Sequence, residues 1–205
     1  ALQRRQVSFD AGHFARQLEA TRAAYAPLLG ADGKLRPPPP TAMPGGGRPI
    51  FIVGFPRSGS TMLSQALMQA GGLRDAGEKC LFAPLHAKVS QGYAKWVNDG
   101  GPAALPLAAA QVPSLWAQLG ETYTREMAGR FAKPTKGWIS KMLENYWHLG
   151  SIYLSLPHAK VLHMWREPVQ ACFSAYATLF SQGSNAVPYS YDLDDLAAYH
   201  RVYEG

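Results

Sequence analysis

A glycine-bounded loop between an apolar run and an amphipathic segment constrains the fold more than any other feature. Residues 49–53 (Pro-Ile-Phe-Ile-Val) form a short continuous apolar run, which is typical of a buried parallel strand. Residues 54–61 (Gly-Phe-Pro-Arg-Ser-Gly-Ser-Thr) follow, and apolar residues then recur at helical spacing as far as Gly71. A strand, a tight loop and a helix N-terminus in this order predict a phosphate-binding turn, because unpaired backbone N–H groups and the helix dipole attract an anion.

Further strand and helix patterns alternate along the chain. Strand patterns lie at 138–140 and 158–165, and helical patterns lie at 113–131, 145–156, 168–180 and 191–203. This alternation predicts an α/β fold, namely a P-loop-like three-layer α/β/α sandwich with a mostly parallel sheet. The strand at 158–165 is expected to be buried, so His163 is predicted to be a core histidine rather than a catalyst.

An amphipathic helix is predicted near the N-terminus, at residues 7–29. Its apolar face consists of Phe14, Leu18, Tyr25 and Leu29. Ser8 or Asp10 can cap its first turn, and Gly30 is a natural end. The chain is therefore divided into an N-terminal helix (1–30), a Pro/Gly-rich linker (31–48) and a main domain (49–205).

The composition excludes several classes of protein. The 205 residues are 47% hydrophobic and 17% charged, with a net charge of +6, whereas disordered chains are poorer in apolar residues. No apolar run approaches the roughly 18 residues of a membrane helix, so no membrane segment is expected. The Lys and Arg residues are scattered without a nucleic-acid-binding motif, so a small polyanion or an acidic protein is the expected anionic partner rather than nucleic acid. Cys80 and Cys172 lack metal-ligand spacing, and no metal site is predicted.

The loop has the spacing of a Walker A motif but a different distribution of charge. Four residues separate Gly54 from Gly59, yet Ser60 occupies the position of the Walker lysine. A nucleoside triphosphatase would then lack the charge that neutralises its terminal phosphates. The positive charge lies inside the loop instead, at Arg57. Taken alone, the loop is consistent with an anion site of another kind or with a glycine-rich turn that carries a surface arginine.

Residues 56–61 (Pro-Arg-Ser-Gly-Ser-Thr) resemble the 5′-phosphosulfate loop of sulfotransferases, which bind 3′-phosphoadenosine 5′-phosphosulfate (PAPS) rather than ATP. That family also carries an arginine at the end of a later strand and a serine eight residues further on, as Arg166 and Ser174 do here. The resemblance implies that Arg166 and Ser174 hold the ribose 3′-phosphate. It also implies a 5′-phosphosulfate site made of Arg57, Ser58, Gly59, Ser60 and Thr61.

The chain is more similar still to tyrosylprotein sulfotransferases and their bacterial relatives, including those fused to tetratricopeptide repeats. Residues 75–78 (Asp-Ala-Gly-Glu) match the segment with the family's catalytic glutamate, and residues 140–145 (Ser-Lys-Met-Leu-Glu-Asn) match a bacterial D-K-M-P-x-N segment. The resemblance implies that Glu78 is the general base and that Lys141 and Arg57 lie near the sulfonate and the bridging oxygen. The family continues beyond the last predicted helix, so the domain is expected to be truncated at its C-terminus.

The expected function is PAPS-dependent transfer of a sulfuryl group to a hydroxyl acceptor, without a metal. The product of the donor is adenosine 3′,5′-bisphosphate (PAP). The resemblance implies a tyrosine in an acidic peptide as an acceptor and tetratricopeptide repeats as an upstream partner. A bacterial cytoplasmic location is expected, and the Golgi lumen is the alternative. Two other functions stay open, namely a degenerate P-loop nucleotide kinase and a catalytically inactive nucleotide-binding or interaction module on the same fold.

Overall fold

A four-stranded sheet lies at the centre of the computed structural model, which describes residues 9–36, 47–78, 81–88, 113–131, 135–178, 180 and 187–204. The strands are β1 (Arg48–Gly54), β2 (Leu73–Asp75), β3 (Gly137–Ser140) and β4 (Lys160–Met164). Their order in the sheet is β2-β3-β1-β4, and each neighbouring pair is parallel.

Helices flank this sheet. They are α1 (Ala11–Tyr25), α2 (Ser60–Gln69), α3 (Pro113–Ala128), α4 (Leu149–Ser155), α5 (Pro168–Tyr176) and α6 (Leu193–Glu204). Shorter 3-10 helices lie at Ala26–Leu28, Leu143–His148 and Pro188–Tyr191, and residues 82–88 are also helical. Within the described part of the chain, none of the helices combines the length and apolar character needed to cross a bilayer. The predicted P-loop-like α/β/α sandwich with a mostly parallel sheet is confirmed.

Both faces of β1 are buried. Phe51 and Val53 point to one face, where they form a hydrophobic cluster with Trp138 of β3 and with side chains of α3 and α4. Ile52 points to the opposite face, because side chains alternate along a strand, and it is also fully buried. The helix predicted at 113–131 is α3, and its buried face consists of Trp116, Leu119, Tyr123 and Met127. Cover on both faces is what a parallel sheet requires.

The loops that follow the strands all lie at one edge of the sheet. Asp75 ends β2, Gly54 ends β1, Lys141 directly follows β3, and Arg166 comes shortly after β4. β2 and β3 lie on one side of β1, and β4 lies on its other side. Open α/β sheets bind ligands at the carboxyl edge, beside such a change of direction. The topology therefore brings the loops with the predicted site residues to one place.

The N-terminal helix is shorter than the sequence predicts. α1 begins after Asp10, whose side chain accepts a hydrogen bond from a backbone N–H of the first turn. It ends at Tyr25 rather than near Gly30, because Pro27 lacks the N–H that a continued α-helix would need. The Asp10 cap is thus confirmed, whereas the Gly30 end is wrong. Residues 37–46 of the predicted linker lie outside the described residues.

Strand β4 corrects the prediction of a buried strand at 158–165. It pairs with β1 on one side only among the described residues, and Val161 is 42% exposed. His163 is exposed as well, and its Nε2 lies 2.6 Å from Tyr203 Oη. An apolar run does not distinguish a central strand from an edge strand, because both kinds of strand pack apolar side chains against the core.

Candidate functional site

The glycine-bounded loop connects β1 to α2 through three residues with a positive φ, two of which are glycines. Gly54 has a φ of 151°, and a Cβ atom there would lie 2.6 Å from Met164 O. Gly59 has a φ of 97° and is the N-cap of α2. The backbone N–H groups in the first turn of α2 have no helical partners. The local sequence therefore forms the geometry that an anion needs at a helix N-terminus.

Arg57 is held by both residues that were predicted to bind a 3′-phosphate. Its φ is 68°, in the left-handed region that non-glycine residues seldom adopt. Its Nε donates a hydrogen bond to Ser174 Oγ at 3.2 Å. Its carbonyl oxygen accepts a hydrogen bond from Arg166 Nη1 at 3.0 Å. The structure thus brings Arg57, Arg166 and Ser174 together, although they are far apart in the sequence.

Ser58 gives the loop a buried hydroxyl group. Ser58 is 7% exposed, and its Oγ has no hydrogen-bond partner among the described residues. A buried polar group without a partner costs about 1–3 kcal/mol. A phosphate or sulfonate oxygen at the loop would accept the missing hydrogen bond and remove that cost. The loop residues therefore fit an anionic group of this kind.

The Lys141 ammonium group joins the loop to Glu78. Nζ lies 2.9 Å from Glu78 Oε1 and donates a hydrogen bond to Thr61 Oγ1 at 3.0 Å. The Lys141 side chain is 9% exposed, whereas that of Glu78 is 56% exposed. The ion pair thus combines a buried cation with a carboxylate that is open to an incoming molecule. Glu78, Lys141 and Thr61 are brought together from three separate segments of the chain.

Asp75 supports this arrangement, although the sequence does not single it out. Its Oδ2 accepts a hydrogen bond from Ser64 Oγ at 2.7 Å, and its Oδ1 accepts one from Gly77 N at 2.6 Å. Ser64 is fully buried in α2. Asp75 therefore ties the segment before Glu78 to the helix that follows the loop. An Asp two residues before a Gly indicates a turn, but the sequence contains nothing that identifies Ser64 as the partner.

Asp75→Ala is expected to lower the free energy of unfolding by about 1–3 kcal/mol, because it leaves the Ser64 hydroxyl and the Gly77 N–H without their acceptor. Urea denaturation followed by circular dichroism would measure the change. Asp32→Ala is the matched control, since Asp32 pairs with Arg36 at the surface and its loss should cost less than about 0.5 kcal/mol. Equal effects of the two substitutions would contradict the role given to Asp75.

An open cleft of about 690 Å³ lies at the carboxyl edge of the sheet. We call it the loop cleft, and the predicted site residues that line it are Arg57, Ser58, Gly59, Ser60, Thr61, Glu78, Lys141 and Arg166. Ser174 contacts this set through its hydrogen bond with Arg57. Binding sites for small molecules measure about 300–1,000 Å³, so the loop cleft can hold one ligand of nucleotide size.

Aromatic side chains form another wall of the loop cleft. Tyr146, Tyr189 and Tyr199 line it. The rings of Tyr189 and Tyr199 are stacked with centroids 3.6 Å apart, and Tyr146 Oη lies 2.6 Å from Tyr199 Oη. Burial raises the pKa of Tyr146 and Tyr199, so both phenols stay neutral at pH 7. These residues come from three separate segments, and no spacing in the sequence indicates that they meet.

Comparison with known proteins covers most of the chain. A family profile described as the sulfotransferase family matches residues 49–205. An uncharacterized protein of Aquifex aeolicus (strain VF5) is 26% identical over 146 residues, which are 71% of this chain and 19% of that protein. The chain thus corresponds to a minor part of the relative's length. The family match includes the sheet from Pro49 onward and every residue of the loop cleft named above, and the chain belongs to the sulfotransferase family.

Proposed function

We propose that this protein transfers a sulfuryl group from PAPS to a hydroxyl acceptor. Membership of the family supports sulfuryl transfer in general. The observation that carries the specific proposal is the convergence of three cations, Arg57, Lys141 and Arg166, on the cleft that also contains Glu78. Cations can stabilise an anionic donor and its transition state, and a carboxylate can remove the proton of an acceptor.

The two ends of the donor are assigned to different parts of the loop cleft. The backbone N–H groups of residues 58–61 and the Ser58 hydroxyl would donate hydrogen bonds to the 5′-phosphosulfate. Arg166 and Ser174 would bind the ribose 3′-phosphate, since a guanidinium can donate two parallel hydrogen bonds to a phosphate. Both residues also contact Arg57. One connected set of side chains would therefore bind both ends of the nucleotide.

Transfer is proposed to be an in-line displacement at sulfur. The acceptor oxygen forms a bond to sulfur while the bond between sulfur and the bridging oxygen of PAPS breaks, and PAP leaves with that bond's electron pair. Lys141 and Arg57 stabilise the charge that develops on the transferred group and the bridging oxygen. Glu78 accepts the acceptor's proton as general base. Because Lys141 contacts both Glu78 and Thr61, one side chain connects the base to the donor loop.

The proposal extends to the organisation of the chain. Residues 49–205 are assigned to the catalytic domain, residues 1–30 to the N-terminal helix and residues 31–48 to the linker. Tetratricopeptide repeats upstream and a bacterial cytoplasmic location are proposed from the resemblance, and a tyrosine in an acidic peptide is one acceptor that the reaction allows.

The donor site is tested by titrating the chain with PAP in a calorimeter. We expect micromolar binding of PAP, at least tenfold weaker binding of ADP, and a loss of about 10–100-fold for PAP in Arg166→Ala, because charge-assisted hydrogen bonds contribute about 1.5–3 kcal/mol. Arg125→Ala is the matched control, since Arg125 is exposed on α3, and PAP affinity should not change in it.

Each other outcome of this titration has a definite meaning. Equal affinity for PAP and ADP, insensitive to Arg166→Ala, would contradict the 3′-phosphate site and favour a nucleotide kinase. Binding of PAP without consumption of PAPS in the presence of acceptors would favour an inactive nucleotide-binding module. Absence of binding to both nucleotides would contradict the proposed function.

A further inference from the structure

The backbone just before Glu78 is paired with the segment that follows β3. Lys141 N donates a hydrogen bond to Gly77 O at 3.1 Å. The parallel pairing of β2 with β3 thus continues past the end of β2 at Asp75, as far as the residue before Glu78. The side chain of Lys141 pairs with Glu78 itself. Backbone and side chain of one residue therefore contact neighbouring points of the same segment.

Asp75 holds this segment from the other side, because its two carboxylate oxygens have different partners. Oδ1 accepts a hydrogen bond from Gly77 N at 2.6 Å, and Oδ2 accepts one from Ser64 Oγ at 2.7 Å. An aspartate that bonds to the backbone N–H two residues further on closes a tight turn. Gly77 has a φ of 69°, in the left-handed region that such turns use. The turn directly before Glu78 is therefore fixed to a buried residue of α2.

One face of α2 contacts both the lysine and the aspartate. Thr61 and Ser64 are three residues apart, so their side chains lie on the same side of the helix. Thr61 Oγ1 accepts a hydrogen bond from Lys141 Nζ at 3.0 Å, and Ser64 Oγ donates one to Asp75. α2 begins at the donor loop, since Gly59 is its N-cap. The helix that presents the loop is thus connected to the segment of Glu78 at two points.

Asp75 and Ser64 act from outside the loop cleft. The described residues that line the cleft include Glu78, Lys141 and Thr61 but neither Asp75 nor Ser64. The Glu78 side chain is 56% exposed, and its carboxylate bonds to Lys141 Nζ. A side chain with so little packing around it takes its position from its backbone. The hydrogen bonds of Asp75 therefore determine where the Glu78 carboxylate can lie.

We propose that Asp75 and Ser64 are positioning residues, which hold the general base Glu78 at a fixed distance from the donor loop. This inference rests on the proposed transfer of a sulfuryl group with Glu78 as base. The acceptor oxygen must be within reach of both the donor sulfur and the carboxylate, so the separation of loop and base decides whether transfer occurs. A displacement of about 1 Å in such an arrangement can lower the rate about 100-fold.

The test is a double-mutant cycle between Asp75 and Glu78, measured as single-turnover transfer from PAPS to the peptide Glu-Asp-Tyr-Glu-Asp. Asp75→Ala is expected to lower the rate about 10–100-fold in the wild-type background. In the Glu78→Gln background the same substitution should cost less than about threefold, because the position matters only while the base is present. A merely structural defect would lower the rate equally in both backgrounds. The affinity for PAP, measured by calorimetry, should stay within about twofold.

Conservative variants separate position from charge. In Asp75→Asn, Oδ1 can accept the hydrogen bond of Gly77 N and Nδ2 can donate one to Ser64 Oγ, so both contacts can persist. Its rate should stay within about threefold of wild type, and Ser64→Ala, which removes one contact, should lie between Asp75→Asn and Asp75→Ala. Asp32→Ala, in an exposed ion pair, is the matched control. A loss in Asp75→Asn as large as in Asp75→Ala would overturn the positioning role.

Amide hydrogen exchange tests the same coupling without turnover. In Asp75→Ala, protection of Lys141 N–H is expected to fall at least about tenfold more than that of Arg48 N–H, which bonds to Lys136 O at the opposite end of the sheet and reports overall stability. Equal changes at both amides would overturn the inference, as would additive effects in the cycle while wild type still transfers. If wild type neither binds PAP nor consumes PAPS, the proposed function fails, and exchange still decides whether Asp75 holds this segment.

Discussion

Lys141→Met is expected to lower kcat for sulfuryl transfer by about 10²–10³-fold, the effect of removing one donor that stabilises transition-state charge. The Lys141 ammonium is buried and contacts both Glu78 and Thr61, so in the proposed reaction it stands between the base and the donor loop. Met keeps the apolar stem and removes the charge. Because charge develops mainly in the transition state, kcat should fall far more than the affinity for PAP. Single-turnover transfer from PAPS and calorimetry with PAP measure the two quantities.

The Lys141→Met variant is expected to remain folded, which keeps this test interpretable. Its partner Glu78 is 56% exposed in its side chain, so the carboxylate is hydrated after the cation is removed and no buried unpaired charge results. Lys160→Met is the matched control, since Lys160 is exposed on β4, and kcat should stay within about twofold of wild type. An unchanged kcat in Lys141→Met would remove Lys141 from the proposed mechanism.

The parts of this fold that the sequence predicts are those determined by local physics. The apolar run of β1, the glycines of the loop and the helical spacing after them each act within a few residues. The parallel sheet then follows from the alternation of strands and helices. Because parallel strands end at the same edge, loops widely separated in the sequence meet there. Which residues of those loops belong to the proposed site follows from the family resemblance of their motifs.

The features that the sequence does not reveal depend on contacts between distant segments. Asp75 and Ser64 meet because β2 lies beside α2, and the two residues carry no common pattern. The family resemblance indicates Ser174 by its place eight residues after Arg166, yet its hydrogen bond to Arg57 depends on how α5 packs beside the loop. A cavity of about 730 Å³ is lined by residues of α1, of the 3-10 helix Leu143–His148 and of other segments. The exposure of β4 depends on its place in the strand order, which hydrophobicity does not encode.

Glu78→Gln is expected to reduce kcat by about 10²–10⁴-fold, the usual contribution of a general base. Gln keeps the size of the side chain and can still accept a hydrogen bond from Lys141 Nζ, so the contact at 2.9 Å can persist without the ion pair. The affinity for PAP should therefore change little. Single-turnover transfer from PAPS and calorimetry with PAP would measure the two effects.

The comparison that decides the assignment of the base is with Glu144, the other carboxylate among the described residues that line the loop cleft. Burial raises the pKa of Glu144, whereas Glu78 contacts Lys141 directly. Glu126→Gln, at an exposed position of α3, serves as the neutral control. If Glu144→Gln lowered kcat by about 10²–10⁴-fold while Glu78→Gln left it unchanged, the proton would have to leave the acceptor on the Glu144 side of the loop cleft. If Glu78→Gln alone lowers kcat, the proton leaves on the side of the donor loop, where Lys141 can stabilise both the base and the departing PAP.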